Sequence, residues 1–201
     1  MESLIIIFIA VNCMQRKERH HALADHPGEA LASPGSRSLY DAEARWFNQD
    51  LKPVALNNLA GKIQVLTFGF TRCPGACPQL IRDMQAIDNH LPADFKDQIH
   101  YTFISIDPQH DTPQALKQFS EVMHLDRARW QLLTSSAGNI LTLAMLMGMQ
   151  YKETKDGFFA HSNIIHILNP QGELIHQQIG LNRDPQESVG IIRKLLTDKS
   201  N

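Results

Sequence analysis

Two cysteines four positions apart, Cys73 and Cys77, stand in the segment Phe68-Gly69-Phe70-Thr71-Arg72-Cys73-Pro74-Gly75-Ala76-Cys77-Pro78. Thiols at this spacing have three chemistries open to them: they can close a disulfide, attack one, or hold a thiophilic metal. A disulfide needs Cβ atoms about 3.8 Å apart. Two thiolates sharing one metal, with bonds of about 2.3 Å as for zinc, bring their sulfurs to roughly 3.7–4 Å. A five-residue turn satisfies either demand, so spacing alone leaves redox and metal roles open. Two sulfurs leave a metal under-coordinated, and the candidates for a third ligand are His90, His100, His110, His124, His161, His166 and His176. Two thiolates with one imidazole suit copper, as Cu(I) or Cu(II). A structural zinc site normally draws four protein ligands.

The elements around the cysteines decide which histidine can reach them. Ile63 to Phe70 is apolar and β-prone, as expected of a strand covered on both faces. From Gln79 to about Leu91, Leu80, Met84, Ile87 and Leu91 recur at helical spacing. Pro78 suits the first helical position, and residues before proline avoid the α region, so Cys73 and Cys77 are expected outside the regular helix. Cys77 then falls at the helix N-terminus, where the partial positive charge favours its thiolate. Upstream, 45–47 and 53–56 read as a short hairpin across Asn48-Gln49-Asp50. Downstream come a strand at 101–106 and a helix from about Thr112 to Met123 with Asp111 or Thr112 as N-cap. A strand at 130–133 and a helix over 136–147 follow. A short strand near 149–152 leads to a turn at Lys155-Asp156-Gly157. The strand 163–168 turns at Asn169-Pro170-Gln171-Gly172 into 173–178, and a last helix covers about 184–197.

This order, βα units followed by a hairpin and a final helix, implies an α/β domain with a thioredoxin-like fold: a central mixed sheet, helices on both faces and an N-terminal hairpin. Ligands of open α/β sheets sit at the carboxyl ends of strands, where the cysteine turn falls. His161 opens the strand Ser162-Asn163-Ile164-Ile165-His166-Ile167-Leu168, after a loop that lies beside the cysteine turn in such a sheet. That makes it the candidate third ligand. His166 alternates with isoleucines and reads as a packed or edge histidine, His176 as part of the exposed hairpin return, and His110 as a residue of the rim.

The chain has 201 residues, 43% hydrophobic and 20% charged, with a formal net charge of −2. That describes one domain with an N-terminal extension, and it offers nothing to attract nucleic acid. Only three cysteines occur, so this is no disulfide scaffold. Residues 1–14 hold the apolar run Leu4 to Val11, far short of the ~20 residues of a membrane span but suited to a signal-peptide core. Ala10-Val11-Asn12-Cys13 resembles a bacterial lipoprotein cleavage site, with Asn12 where a small residue is usual; a remnant of a longer anchor is the other reading. Residues 15–38 are polar and aperiodic, a tether carrying His20, His21 and His26. The folded domain is expected over 39–198.

Three blocks carry a family resemblance: Thr67 to Pro78, Ser105-Ile106-Asp107-Pro108-Gln109-His110-Asp111-Thr112-Pro113, and His161-Ser162-Asn163-Ile164-Ile165. Together they resemble the Sco/SenC family of thioredoxin-fold, membrane-tethered copper proteins that assist assembly of the CuA centre of cytochrome c oxidase. The resemblance covers about Leu39 to Leu196. It implies that Cys73, Cys77 and His161 are copper ligands and that the partner is the copper-receiving oxidase subunit, with other copper carriers or thiol reductants as further partners. It also implies a periplasmic location, tethered to the bacterial inner membrane. Two positions depart from many relatives: Arg72 stands where histidine is common, and Ala160 where an aspartate precedes the ligand histidine. Some members of the family act mainly as thiol–disulfide reductases, with the two cysteines as the redox pair. A peroxiredoxin-like role is more distant, because Phe70 replaces the threonine usual three residues before the reactive cysteine.

Overall fold

The strand that delivers the cysteine turn, β3 (Ile63–Gly69), is buried at all seven positions. Its near-continuous apolar run reflects a place in the middle of a sheet covered on both faces. The computed structural model describes residues 38–42 and 44–197. The apolar N-terminal run with Cys13, and the tether with His20, His21 and His26, lie outside the described residues. The other strands are β1 (Trp46–Asn48), β2 (Pro53–Val54), β4 (Ile99–Ser105), β5 (Trp130–Thr134), β6 (Tyr151–Glu153), β7 (Phe159–His161), β8 (Ile164–Leu168) and β9 (Leu174–Ile179). The helices are α1 (Ala76–Asn89), α2 (Pro113–Val122), α3 (Ala137–Leu146) and α4 (Gln186–Thr197).

Seven strands form one mixed sheet in the order β2-β1-β5-β4-β3-β8-β9. β3 runs parallel to β4 and β4 to β5, while β8 lies antiparallel to β3 and β9 antiparallel to β8. The expected thioredoxin-like α/β class and the N-terminal β1–β2 hairpin are both present. Parallel neighbours require crossovers, and α1 and α2 supply them. α1 turns Cys77, Leu80, Ile81, Met84 and Ile87 inward and packs against β3, β8 and α4. On the other arm of the sheet, Tyr101 stacks on Trp130 at 4.8 Å and donates to Asp88 at 2.9 Å, so the base of α1 is tied to β4.

Several boundaries differ from the sequence reading, each for a local reason. α1 begins at Ala76, so Cys77 lies within its first turn rather than before it, and Pro78 is its third residue rather than its first. The first backbone bond across the turn runs from Gln79 N to Gly75 O at 3.1 Å, so the N–H that Pro78 lacks would have had no partner. Thr112 is the cap of α2, its hydroxyl accepting from Ala115 N at 3.2 Å, with Pro113 first in the helix. Asp111 is not a cap and is fully buried. His161 does not open the sheet strand. It ends β7, which pairs with β6 as a separate two-stranded ribbon in the register Tyr151↔His161 and Glu153↔Phe159. The turn read at Lys155-Asp156-Gly157 is the hairpin of this ribbon, closed by Gly157 at φ 75°.

Candidate metal and thiol site

The carboxyl end of β3 meets the N-terminus of α1 at Phe70-Thr71-Arg72-Cys73, a turn closed by Cys73 N donating to Phe70 O at 3.2 Å. Cys77 comes back toward the strand it left, because α1 starts only three residues after Cys73. Its sulfur accepts from Phe70 N at 3.4 Å, and its own N–H points at Cys73 Sγ at 3.4 Å. Both thiols are free. Gly69 makes room for them: a Cβ there would stand 2.9 Å from Cys77 Sγ and 2.8 Å from the Phe103 ring. Only a glycine lets the strand pass so close to the sulfur.

Two polar groups fix the turn from below. Asp111, fully buried, accepts from Thr71 Oγ1 at 2.6 Å, Thr71 N at 3.1 Å and Ser105 Oγ at 2.6 Å. Burial raises its pKa, and the Ser105 and Thr71 donors pull it back toward the ionised form. Asp107, just beyond β4, accepts from Arg72 Nη2 at 2.8 Å and faces His110 Nδ1 at 2.8 Å.

His161 arrives from the opposite side on the β6–β7 ribbon. Its Nε2 lies 3.4 Å from Cys77 Sγ, and its Nδ1 lies 3.1 Å from Ser162 O. If Nδ1 carries the proton and donates to that carbonyl, Nε2 presents its lone pair to the sulfurs. The Phe70 ring meets the imidazole edge to face at 6.0 Å and also contacts Phe159 at 5.5 Å, walling one side of the site with apolar surface. The two sulfurs and the imidazole nitrogen all lie within 4.8 Å of one another. Three ligands around one ion, at bonds of about 2.0–2.3 Å, stand roughly 3.5–4 Å apart. The observed separations are close to that spacing.

The two thiols are unlike. A hydrogen bond from the Cys77 thiol, joined by the backbone N–H groups of Cys77, Gly75 and Ala76, holds Cys73 down at about 5 against the opposing effect of burial. The same hydrogen bond, then burial, pushes Cys77 above the ordinary thiol range. The helix N-terminus therefore stabilises the thiolate of Cys73, not that of Cys77 as its position in the sequence suggests. Cys73 lies outside the helix, in line with its free N–H groups, whereas Cys77 sits inside the first turn and is fully buried.

The other histidines are elsewhere. His166 is buried in β8, with Nε2 3.0 Å from Met147 O and Nδ1 3.3 Å from Leu66 O, so it is the packed histidine expected. His176 lies half-buried on β9, His90 caps α1, His100 faces Lys62 Nζ at 3.3 Å, and His124 is exposed with φ 52° just past α2. His110 joins Asp107 and Arg72 at the rim. Sequence reasoning missed Gly69, Thr71, Asp111 and Phe70 as supports of the site. The Asp-Pro…Asp-Thr-Pro block was the signal for Asp111.

Comparison with known proteins gives a consistent picture. Residues 34–197 match the SCO1/SenC family model. A SCO2-like protein of Rickettsia conorii is 37% identical over 165 residues, covering 79% of this chain and 75% of that protein. The structure of Arabidopsis thaliana ScoI with copper bound superposes with a TM-score of 0.65 at 25% identity, covering 77% of this chain and 96% of that one. BsSco, described as a Sco-family cytochrome c oxidase assembly protein with a disulfide switch, superposes with a TM-score of 0.67 at 25% identity, covering 76% and 91% of the two chains.

Proposed function

Because the chain belongs to the SCO1/SenC family, we propose that it is a copper-binding assembly factor whose cargo is held by Cys73, Cys77 and His161. The observation that carries this reading is the convergence of two sulfurs and one imidazole nitrogen within 4.8 Å, from three different elements. Two thiolates and an imidazole form a donor set that suits Cu(I) and tolerates Cu(II). Arabidopsis thaliana ScoI, with the same fold, binds copper.

The residues divide the work. Cys73, partly exposed and held as thiolate, meets the incoming ion first. Cys77 loses its proton when the metal takes the lone pair, since a coordinated thiol is deprotonated outright. His161 completes the set from the ribbon. Release proceeds by ligand exchange, in which thiolates or imidazoles of the recipient enter on the exposed Cys73 side and replace the three donors in turn. The recipient is the copper-receiving subunit of cytochrome c oxidase, at its CuA centre. Residues 1–14 anchor the protein at the periplasmic face of the bacterial inner membrane, and residues 15–38 give the domain, 39–198, its reach.

The test is oxidase assembly in cells lacking the native protein, complemented with His161→Ala under limiting copper. The variant is expected to fail while its in vitro disulfide exchange is retained. Full rescue together with lost copper binding would transfer the function to the thiols alone.

The inequality of the thiols favours a second reading, thiol–disulfide reductase. The Cys73 thiolate attacks a partner disulfide, forming a mixed disulfide and expelling one partner thiolate. Cys77 then gives up its proton and attacks Cys73 Sγ, closing the Cys73–Cys77 disulfide and releasing the second partner thiol. Two electrons pass to the partner.

A further inference from the structure

We propose that Arg72 is a positioning residue that latches the β6–β7 ribbon over the cysteine turn and so sets the approach of His161 to the sulfurs. The inference deepens the copper reading above and rests on it. Among the described residues the ribbon shares no ladder with the seven-stranded sheet. Its backbone bonds are internal or lie at its own base, such as Thr154 N to Phe158 O at 2.8 Å and Ser162 N to Gln150 O at 2.9 Å. The ribbon is therefore an arm whose position is set by side chains.

Two side chains reach it from the cysteine turn. Phe70 supplies apolar contact with Phe158, Phe159 and His161. Arg72 supplies the polar hold: Nη2 donates to Gly157 O at 3.0 Å, and the guanidinium lies 5.4 Å over the Phe158 ring. The same Nη2, together with Nε, also donates to Asp107 Oδ2, at 2.8 and 3.2 Å respectively. The Asp107 side chain is only 3% exposed, so that anchor belongs to the body of the domain. One planar group, borne by the residue next to Cys73, thus joins the segment just after β4 to the tip of the hairpin that carries His161. Lysine would lose the Nε bond to Asp107 and the planar face over Phe158, having a point charge instead of a fork.

The experiment is a double-mutant cycle. Reduced wild type, Arg72→Gln, His161→Ala and the double variant are titrated with Cu(I) in competition with a chromophoric chelator. Loss of the latch is expected to weaken binding by about 10–100-fold, as for other groups that orient a metal ligand. In the His161→Ala background, Arg72→Gln is expected to change affinity by less than about threefold, because the ligand it positions is gone; Arg72→Lys is expected to behave like Arg72→Gln. Equal losses in both backgrounds would overturn the proposal. A copper-free arm follows the His161 ring signals and the amide exchange of the ribbon by NMR. Arg72→Gln is expected to shift the former and speed the latter while the α1 amides stay protected. If wild type binds no copper, the copper reading fails and this arm alone decides the latch; unchanged ring signals and ribbon exchange overturn it. Should Arg72→Gln fail to fold, Phe158→Leu, which removes the ring beneath the guanidinium, carries the same cycle with the same outcomes.

Discussion

Cys73 and Cys77 look equivalent on paper, and the fold makes them opposite. Cys73 collects the N–H groups of the first helical turn and a thiol hydrogen bond, while Cys77 is sealed between β3 and α1. Of the two site thiols, Cys73 and not Cys77 is therefore expected to be alkylated by iodoacetamide in the reduced protein. The rate should be half-maximal near pH 5 and fall as the pH drops through that value, because protonation removes the thiolate. A midpoint near the ordinary thiol value of about 8.5 would contradict the assignment. Gly69 supplies a second test at this scale. Gly69→Ala forces a Cβ against Cys77 Sγ and Phe103, and overpacking of this kind is expected to destabilise by about 1–3 kcal/mol in urea unfolding. Cysteine spacing announced the site, yet which sulfur would be buried was not legible, since burial is a property of the helix start and β3 together. Gly69 could not be told from any strand glycine until the sulfur stood beside it.

At the scale of elements, β8 buries a titratable group in the core. His166 lies between two carbonyl oxygens, and burial lowers its pKa from 6.5 to about 4. Between those values the unfolded chain binds the proton and the folded one does not, so this group makes stability rise with pH across the window and fall on acidification. The full effect is about 3 kcal/mol, from roughly 1.4 kcal/mol per unit. His166→Gln is expected to flatten that part of the profile, as read by urea unfolding at pH 4.5 and 7.5; an unchanged difference between the two pH values would contradict it. Asp111 gives the opposite kind of test, as the acceptor for three donors. Asp111→Ala strands Thr71 N, Thr71 Oγ1 and Ser105 Oγ, at about 1–3 kcal/mol for each donor left buried without a partner. A thermal melt should drop well below that of wild type. The long, periodic elements were legible in the sequence: β3, α1, α2, and the β8–β9 hairpin with its Asn-Pro-Gln-Gly turn. The β6–β7 ribbon was legible only in part: a short strand near 149–152 stood for β6, but the three-residue β7, Phe159-Ala160-His161, has too few positions to show a period. The turn at Lys155-Asp156-Gly157 marked where the chain reverses, but not what it reverses into.

Among the described residues, a buried sheet carries the two cysteines at its β3–α1 junction, and a side ribbon brings the histidine. Cys73 and Cys77 belong to the β3–α1 junction, whose strand is covered throughout and whose helix packs on α4. His161 belongs to an arm outside that ladder. The fold class followed from the order of elements, and the convergence of Cys73, Cys77 and His161 from cysteine spacing joined to that order. The division of the site between the sheet and a separate ribbon had no sequence signature, since it depends on which strands share a ladder. The central claim is that Cys73, Cys77 and His161 make one copper site, and it is tested most directly by anaerobic Cu(I) titration of the reduced protein beside its Cys73→Ser/Cys77→Ser variant. Wild type is expected to take up one equivalent tightly and the double variant none. Stoichiometric tight binding by the double variant would contradict the account.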